Sequence, residues 1–391
     1  MRRGSSRLAA AGVGVAVLAA GAAWNLIPRA QAASDTESKA ALTQGFQKGS
    51  PDYKAIGPLA FSPSGVLFFA DDQAGAIFGV DLGEKASKAA PYAKVPDLGA
   101  TLAARLGTTP AGIEIKDAAI SPVSGAVYLS VRKTDGADQD PANPANYALF
   151  AVQPSGHVSV VDLKEKPFAK VAVGGKPGYT FRNMGVPRVI GDITYLKGRV
   201  IAAVLSTEAF QSNLVSVPVP FRAEGVERYA TSIYHVSHKR QETASPIQTL
   251  TSYKDGDKEY LVAAYICTPI VRIDPDQLKP GATVTGTTVA ELGSGNRPMS
   301  MIAYGKSGAQ NLLLNNSSFG ILKVDGKIVQ ENEKVNQTTV ADRGNGGQKP
   351  YEGIAPQAEL KDARAYAATA DHLLVVKQSG DGIALDPMPL P

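Results

Sequence analysis

The chain contains four histidines, and two of them, His235 and His238, stand three apart in YHVSHKRQETASP, with Glu242 four residues further on. Imidazole beside carboxylate is a pairing that both metal sites and proton-transfer sites use. The only cysteine, Cys267, follows in YICTP, and two of the five methionines, Met299 and Met301, lie in NRPMSMI. Imidazole, thiolate and thioether together are the ligand set that copper or zinc would take. A thiol beside an imidazolium would also serve as a nucleophile. On a strand, residues three apart face opposite ways, so both rings reach one ion only if the strand ends before His238. The alternative is a packed or solvated histidine, with Cys267 a small buried core residue. Spacing alone leaves both readings open.

Other chemistries find no purchase. There is no G-x-S-x-G elbow, no phosphate-cradling glycine loop before a helix, and no C-x-x-C-H for attached haem. CTPIVR places its arginine one residue later than the C-x-P-x-R signature of formylglycine-modified sulfatases.

Residues 1–32 read as a secretory leader. MRRGSSR is a basic start, LAAAGVGVAVLAAGAA an apolar stretch, and Ala30-Gln31-Ala32 a small-x-small cleavage site, with cutting expected after Ala32. The Arg2-Arg3 pair lacks the rest of a twin-arginine pattern, and an uncleaved anchor is the rival reading. The expectation is a periplasmic or secreted protein with no membrane attachment after cleavage. The leader carries Arg2, Arg3, Arg7 and Arg29 and no acid, so the formal charge of +4 becomes +4 − 4 = 0. A chain near neutrality, without a lysine or arginine stripe, offers no field for nucleic acid. One cysteine forms no internal disulfide, and the only tryptophan, Trp24, lies in the leader.

The remainder repeats. Six segments carry short apolar strands separated by Gly, Ser, Pro and Asp turns. The first reads GPLAFSPSG, VLFFADD, AIFGVDL and APYAKVPDL; the second DAAISPVSG, AVYLSVRK, ALFAVQPSG and VSVVDL. The third and fourth follow the same plan from VIGDITYLKG and from SPIQTLTSYKDGD. The fifth is MSMIAYGKSG, QNLLLNNS, GILKVDG and QTTVADR; the sixth YEGIAPQ, ARAYAATA, HLLVVKQSG and DGIALDP. Four strands per unit of roughly 50 to 60 residues predicts propeller blades. The expected fold is an all-β, six-bladed β-propeller of four-stranded antiparallel blades over residues 57–391, preceded by an extension at 33–56. A seventh blade follows only if residues 36–56 add strands. GATLAARLG, at 99–107, has helical spacing, and TDGADQDPANPANY, at 134–147, is a long polar loop of the kind that often carries function.

GPLAFSPSGVLFFADDQAGAIFGVDL resembles the repeats of NHL-type propellers and of the regucalcin/gluconolactonase group. The resemblance implies loops entering the inner strands and loops after the second strands at one face, around the mouth of an axial channel. By that rule His238, Glu242, Cys267 and Met299 approach the mouth from adjacent blades, with His235 further out and Arg188, Asn296 and Arg297 beside them. The gluconolactonase resemblance also implies a divalent cation such as calcium, held by Glu352 at an inner-strand start with Asn315 or Asn316 and Asp371 or Asp192.

Three functions are expected from this reading. The first is an exported propeller that binds a small ligand or transition metal at the mouth. The second is a metal-dependent hydrolase of the lactonase type. The third is a scaffold for a periplasmic protein partner.

Overall fold

The computed structural model describes residues 38–391, apart from 88–89, 176–187, 206–211, 236–239, 244, 267–268, 293–295, 306–307, 309, 332–352 and 381. Six antiparallel sheets stand around an axis. Blades are numbered here by the order of their inner strands. Blade I has inner strand Leu59–Phe61, then Leu67–Asp71 and Ala76–Val80. Blade II comprises Ile113–Ile120, Val127–Lys133, Tyr147–Val152 and Val158–Val160. Blade III comprises Ile190–Leu196, Arg199–Leu205, Ser212–Pro218 and Glu227–His235, with Arg240–Glu242 added at its edge. Blade IV comprises Ile247–Asp255, Lys258–Tyr265, Pro269–Ile273 and Thr287–Glu291. Blade V comprises Pro298–Tyr304, Asn311–Asn316, Gly320–Val324 and Ile354–Pro356. Blade VI has three strands of its own, Ala363–Ala368, His372–Ser379 and Gly382–Pro389.

The six-bladed expectation holds, but the blades do not stand in chain order. Inner-strand contacts run II–I–III–IV–V–VI and back to II. After its third strand, blade I is left unfinished. The chain crosses to blade VI, where Val95 and Leu385 exchange two backbone hydrogen bonds, each 2.9 Å. The helix Leu98–Leu106 then packs on Gly382–Pro389, and blade II is built next. Only then does Lys166–Ala172 return to pair with Ala76–Val80 as the fourth strand of blade I. APYAKVPDL, expected as the outer strand of the first blade, is therefore the edge of the last. Residues 47–49 pair with Lys166–Ala172 as a fifth strand of blade I, so the region before residue 57 extends an existing blade and founds no seventh.

Packing on both faces explains the apolar runs. In Leu67–Asp71, Leu67 and Phe69 join the core shared with blade II, while Phe68 and Ala70 join the core shared with blade III. Side chains alternate with period two, so one strand feeds both seams. Phe69 stacks on Phe78 within the blade at 4.8 Å, and Phe68 stacks on Tyr195 of blade III at 5.7 Å. Six such clusters fill the six seams.

Blades V and VI differ from the expected strand assignment by one step. Ile354–Pro356, expected to open the sixth blade, pairs with Gly320–Val324 as the outer strand of blade V. The inner strand of blade VI is Ala363–Ala368. QTTVADR lies outside the described residues. Among the described residues no helix is long and apolar enough to cross a membrane.

The helix between blades VI and II gives a test of this packing. Gly99 lies in its first turn, where alanine would ordinarily favour helix. A Cβ there would stand 2.8 Å from Ile383 Cβ and 3.0 Å from its backbone nitrogen. Gly99→Ala is expected to lower stability by about 1–3 kcal/mol, because overpacking exceeds the helix gain. Thermal unfolding checks the sign.

Candidate functional site

Five inner strands carry a bulge near their start: between Ile115 and Asp117, Ile190 and Asp192, Ile247 and Thr249, Pro298 and Ser300, and Ala363 and Ala365. Blade I makes the equivalent contact, since Ala70 bonds both Gly57 and Pro58. A bulge re-aims the side chains that follow it. Repeated around the axis, it sets one residue per blade in a ring: Leu59, Asp117, Asp192, Thr249, Ser300 and Ala365. Gly191 shows how close the inner strands come, because a Cβ there would stand 3.0 Å from the Gln248 carbonyl oxygen of blade IV.

The polar members of this ring bind across seams. The Asp117 carboxylate accepts from the Leu59 amide of blade I at 2.7 Å and from Ala118 at 2.8 Å. Asp192 accepts from Thr249 Oγ1 at 2.5 Å and the Leu250 amide at 3.0 Å, both in blade IV, and from Ile193 at 2.8 Å. Ser300 Oγ and Tyr366 OH, from blades V and VI, lie 3.1 Å apart. Blades are thereby tied in pairs at the axis: II to I, III to IV, V to VI.

Asp117 and Asp192 remain accessible along the channel, yet protein encloses them elsewhere. Burial pushes Asp117 up to about 7, with the Asp192 charge adding to it and Arg188 opposing it. Burial pushes Asp192 up to about 6, against its bonds from Thr249, Leu250 and Ile193 and the field of Arg188. Arg188 precedes the inner strand of blade III, and Arg297 precedes that of blade V. Burial lowers Arg297, and the repulsion of Arg188 lowers it further. Arg188 thus acts on both carboxyls and on Arg297. Arg297 also places Nη2 3.2 Å from the sulfur of Met299, an exposed bulge residue.

His235 and Glu242 come together, but at the rim of the ring. His235 ends the outer strand of blade III, and Arg240–Glu242 folds back on that strand. His235 Nδ1 lies 2.7 Å from Glu242 Oε2, and its Nε2 faces Glu291 Oε1 of blade IV at 3.7 Å. Arg240 Nε bonds the other Glu242 oxygen at 2.8 Å. Thr288 donates to the Tyr234 carbonyl beside them, so the cluster staples the outer strands of blades III and IV. His238 and Cys267 lie outside the described residues. Among the described residues no group of three or more His, Cys, Asp or Glu is placed to hold a metal ion.

Two members of the alternative cation set, Asn316 and Asp371, are engaged elsewhere. Asn316 closes its own turn by accepting from Ser318 and Phe319, and it donates to Asn296 at 2.6 Å. Asn296 in turn donates to Leu292 O, so both amides lie buried within the turns at this end of blade V. Asn315 lies beside Asn316, opposite Ser300. Asp371 falls in the turn between the first and second strands of blade VI, the rim opposite the mouth, because that blade's strands are one step later than expected. Glu352 lies outside the described residues, and the strand it precedes is an outer one.

Asp117, Tyr366 and Glu291 were missed from the sequence. Asp117 was findable: KDAAISP and GDITYLK place Asp117 and Asp192 at the same step of the repeat. Tyr366 was misplaced with its strand. Glu291, in a run of apolar and threonine residues, gave no signal.

No family model matches the chain, and no curated protein matches it. Solved structures similar to it include the virginiamycin B lyase of Staphylococcus aureus, at 10% identity and TM-score 0.37, covering 88% of this chain and 98% of that one. The PQQ-bound aldose sugar dehydrogenase of Streptomyces coelicolor matches at 14% identity and TM-score 0.32, covering 87% and 95%. The Malassezia sympodialis allergen Mala s 1 matches at 10% and 0.35, covering 88% and 92%. Likenesses this distant distinguish no activity.

Two measurements test the two clusters. His235→Ala would leave Glu242 and Glu291 facing one another in the seam, and a loss of about 3–5 kcal/mol is expected from urea unfolding. The channel pair has the opposite interest. Both carboxyls are raised above 3.8, so the folded state holds extra protons up to about pH 7. Their contribution is full below about pH 4 and is lost as pH rises through about 6–7. The melting temperature of the wild type should therefore fall between about pH 4 and 7 relative to that of Asp117→Asn. The chain is a six-bladed β-propeller whose inner strands hold Asp117 and Asp192, two buried carboxyls on which Arg188 acts.

Proposed function

We propose that the protein binds a small polar ligand bearing an anionic group at the channel mouth, where Arg188 and Arg297 grip it above Asp117 and Asp192. What supports this reading is the position of Arg188 and Arg297 before inner strands at the mouth, with the Arg188 charge acting on Asp117, Asp192 and Arg297 from blades II, III and V. Two guanidiniums that repel across an axis are relieved by an anion, and guanidinium recognises carboxylate or phosphate through paired hydrogen bonds. The same cations disfavour a metal ion at this mouth, which weighs for a ligand over copper or zinc. Beneath them, a carboxyl pair titrating near neutrality can donate as well as accept, and so can orient a ligand or move a proton. Export to the periplasm or beyond, with residues 1–32 removed, belongs to the same proposal.

The lactonase-type reading is less well supported. It needs a divalent cation among Glu352, an asparagine and an aspartate; with Asp371 at the far rim and Asn316 spent on its turn, only Asp192 and Asn315 are left to supply the last two. A scaffold for a protein partner has no particular contact in its favour.

Isothermal titration with gluconate and with inorganic phosphate tests the proposal. At least one is expected to bind, and Arg188→Ala should weaken it about tenfold or more, the worth of one charge-assisted hydrogen bond. Absence of binding by both anions, or unchanged affinity in the variant, overturns it.

A further inference from the structure

Among the described residues, Val160 and Met299 are the large apolar side chains that stand exposed, and Met299 is 43% accessible. Met301, on the same strand, is 4% accessible and packs in the core shared by blades IV and V. Met388 is half-buried against the core of blades V and VI. Residues two apart on a regular strand share a face, so Met299 would follow Met301 into the core. The bulge prevents this. Pro298 pairs with Asn316 and Ser300 with Asn315, which leaves Met299 without a place in the ladder and turns its side chain to water.

A thioether sulfur carries two lone pairs and accepts hydrogen bonds weakly. In Met299 a charged donor addresses one of them, because Arg297 Nη2 lies 3.2 Å from Sδ. The backbone beneath that guanidinium is fixed in both directions. The Arg297 amide donates to Ser317 Oγ, and the Ser317 amide donates to the Arg297 carbonyl, each at 2.9 Å. The sulfur is therefore covered on one side by a cation and open to solvent on the other.

We infer that Met299 is a modification site, oxidised to its sulfoxide by a peroxide, with Arg297 confining attack to one lone pair so that one sulfoxide epimer forms in excess. The open lone pair attacks one oxygen of hydrogen peroxide. An S–O bond forms and the O–O bond breaks. The proton on the transferred oxygen passes to the departing hydroxide, which leaves as water. Sulfur gives up two electrons and the peroxide takes them. The product is polar and chiral, and it replaces an exposed apolar side chain beside Arg297 with a strong hydrogen-bond acceptor. Met301 offers the same chemistry two residues away, but its burial withholds it. The reaction needs no ligand at the mouth, so it stands apart from the anion proposed for Arg188 and Arg297.

Hydrogen peroxide added to the folded full chain, followed by fragment-resolved mass spectrometry, tests the site. Met299 is expected to oxidise at least about tenfold faster than Met301 or Met388. The peptides are then treated with each of the two methionine sulfoxide reductases, which accept opposite epimers. Digestion before this step removes any effect of the fold on reductase access. One reductase is expected to restore about fivefold more Met299 than the other, the ratio that one hydrogen bond of ordinary strength would impose. In Arg297→Ala the two should restore roughly equal shares. Oxidation of Met301 or Met388 as fast as Met299 overturns the inference, as do equal epimers in the wild type, a measurement that needs no variant to fold. An unchanged excess in Arg297→Ala overturns the part given to the guanidinium.

Discussion

Leu67, Phe68, Phe69 and Ala70 are consecutive in the chain, and all lie out of water. A strand achieves this only when both faces of its sheet are covered. A sheet of four short strands cannot cover itself, so each must stand between two others. The ring follows from that need, and so does its irregular path. Blade I lies between II and III, and blade VI lacks a fourth strand of its own. The chain answers both at once. It leaves blade I early to lay Val95 on blade VI and packs the Leu98–Leu106 helix against Gly382–Pro389. It later supplies Lys166–Ala172 to the blade it left. Segments distant in sequence therefore hold the ring closed on both sides of blade II.

Closure brings inner strands so near one another that their polar side chains bond the next blade's backbone. Asp117 reaches the Leu59 amide, and Asp192 reaches the Leu250 amide. These bonds stabilise the charged carboxylates, while burial opposes them and prevails. The raised acids are thus a consequence of the same geometry that joins the blades. A structural tie and a proton reservoir occupy the same atoms.

Much of this was legible in the sequence because blade repeats are strong local patterns. Blades II, III and IV were readable strand by strand, since each is continuous in the chain. Blade I was not, because no local pattern reports that APYAKVPDL pairs with residues near 385 and not with its own hairpin. Blades V and VI slipped by one strand because residues 332–352 separate Gly320–Val324 from its outer partner, and YEGI looks like an inner-strand entry. Asp371 moved to the wrong rim with that slip. Glu242 was expected at the mouth with His238 and Cys267, but it meets His235 between outer strands: the rule that sorts loops by rim does not say how far a strand stands from the axis. Asp117 was hidden by its setting, a single acid in an apolar strand whose meaning depends on a bulge.

The two carboxylate clusters illustrate how burial separates a structural role from a functional one. At the rim, His235 has an acid at each ring nitrogen, Glu242 holds an arginine as well, and the whole group lies between outer strands with no channel to face. On the axis, burial and like charge act against the ionised forms of Asp117, Asp192 and Arg297. The axis groups stand on inner strands and the histidine pair stands between outer ones, which is why the proposed ligand site is placed at the mouth.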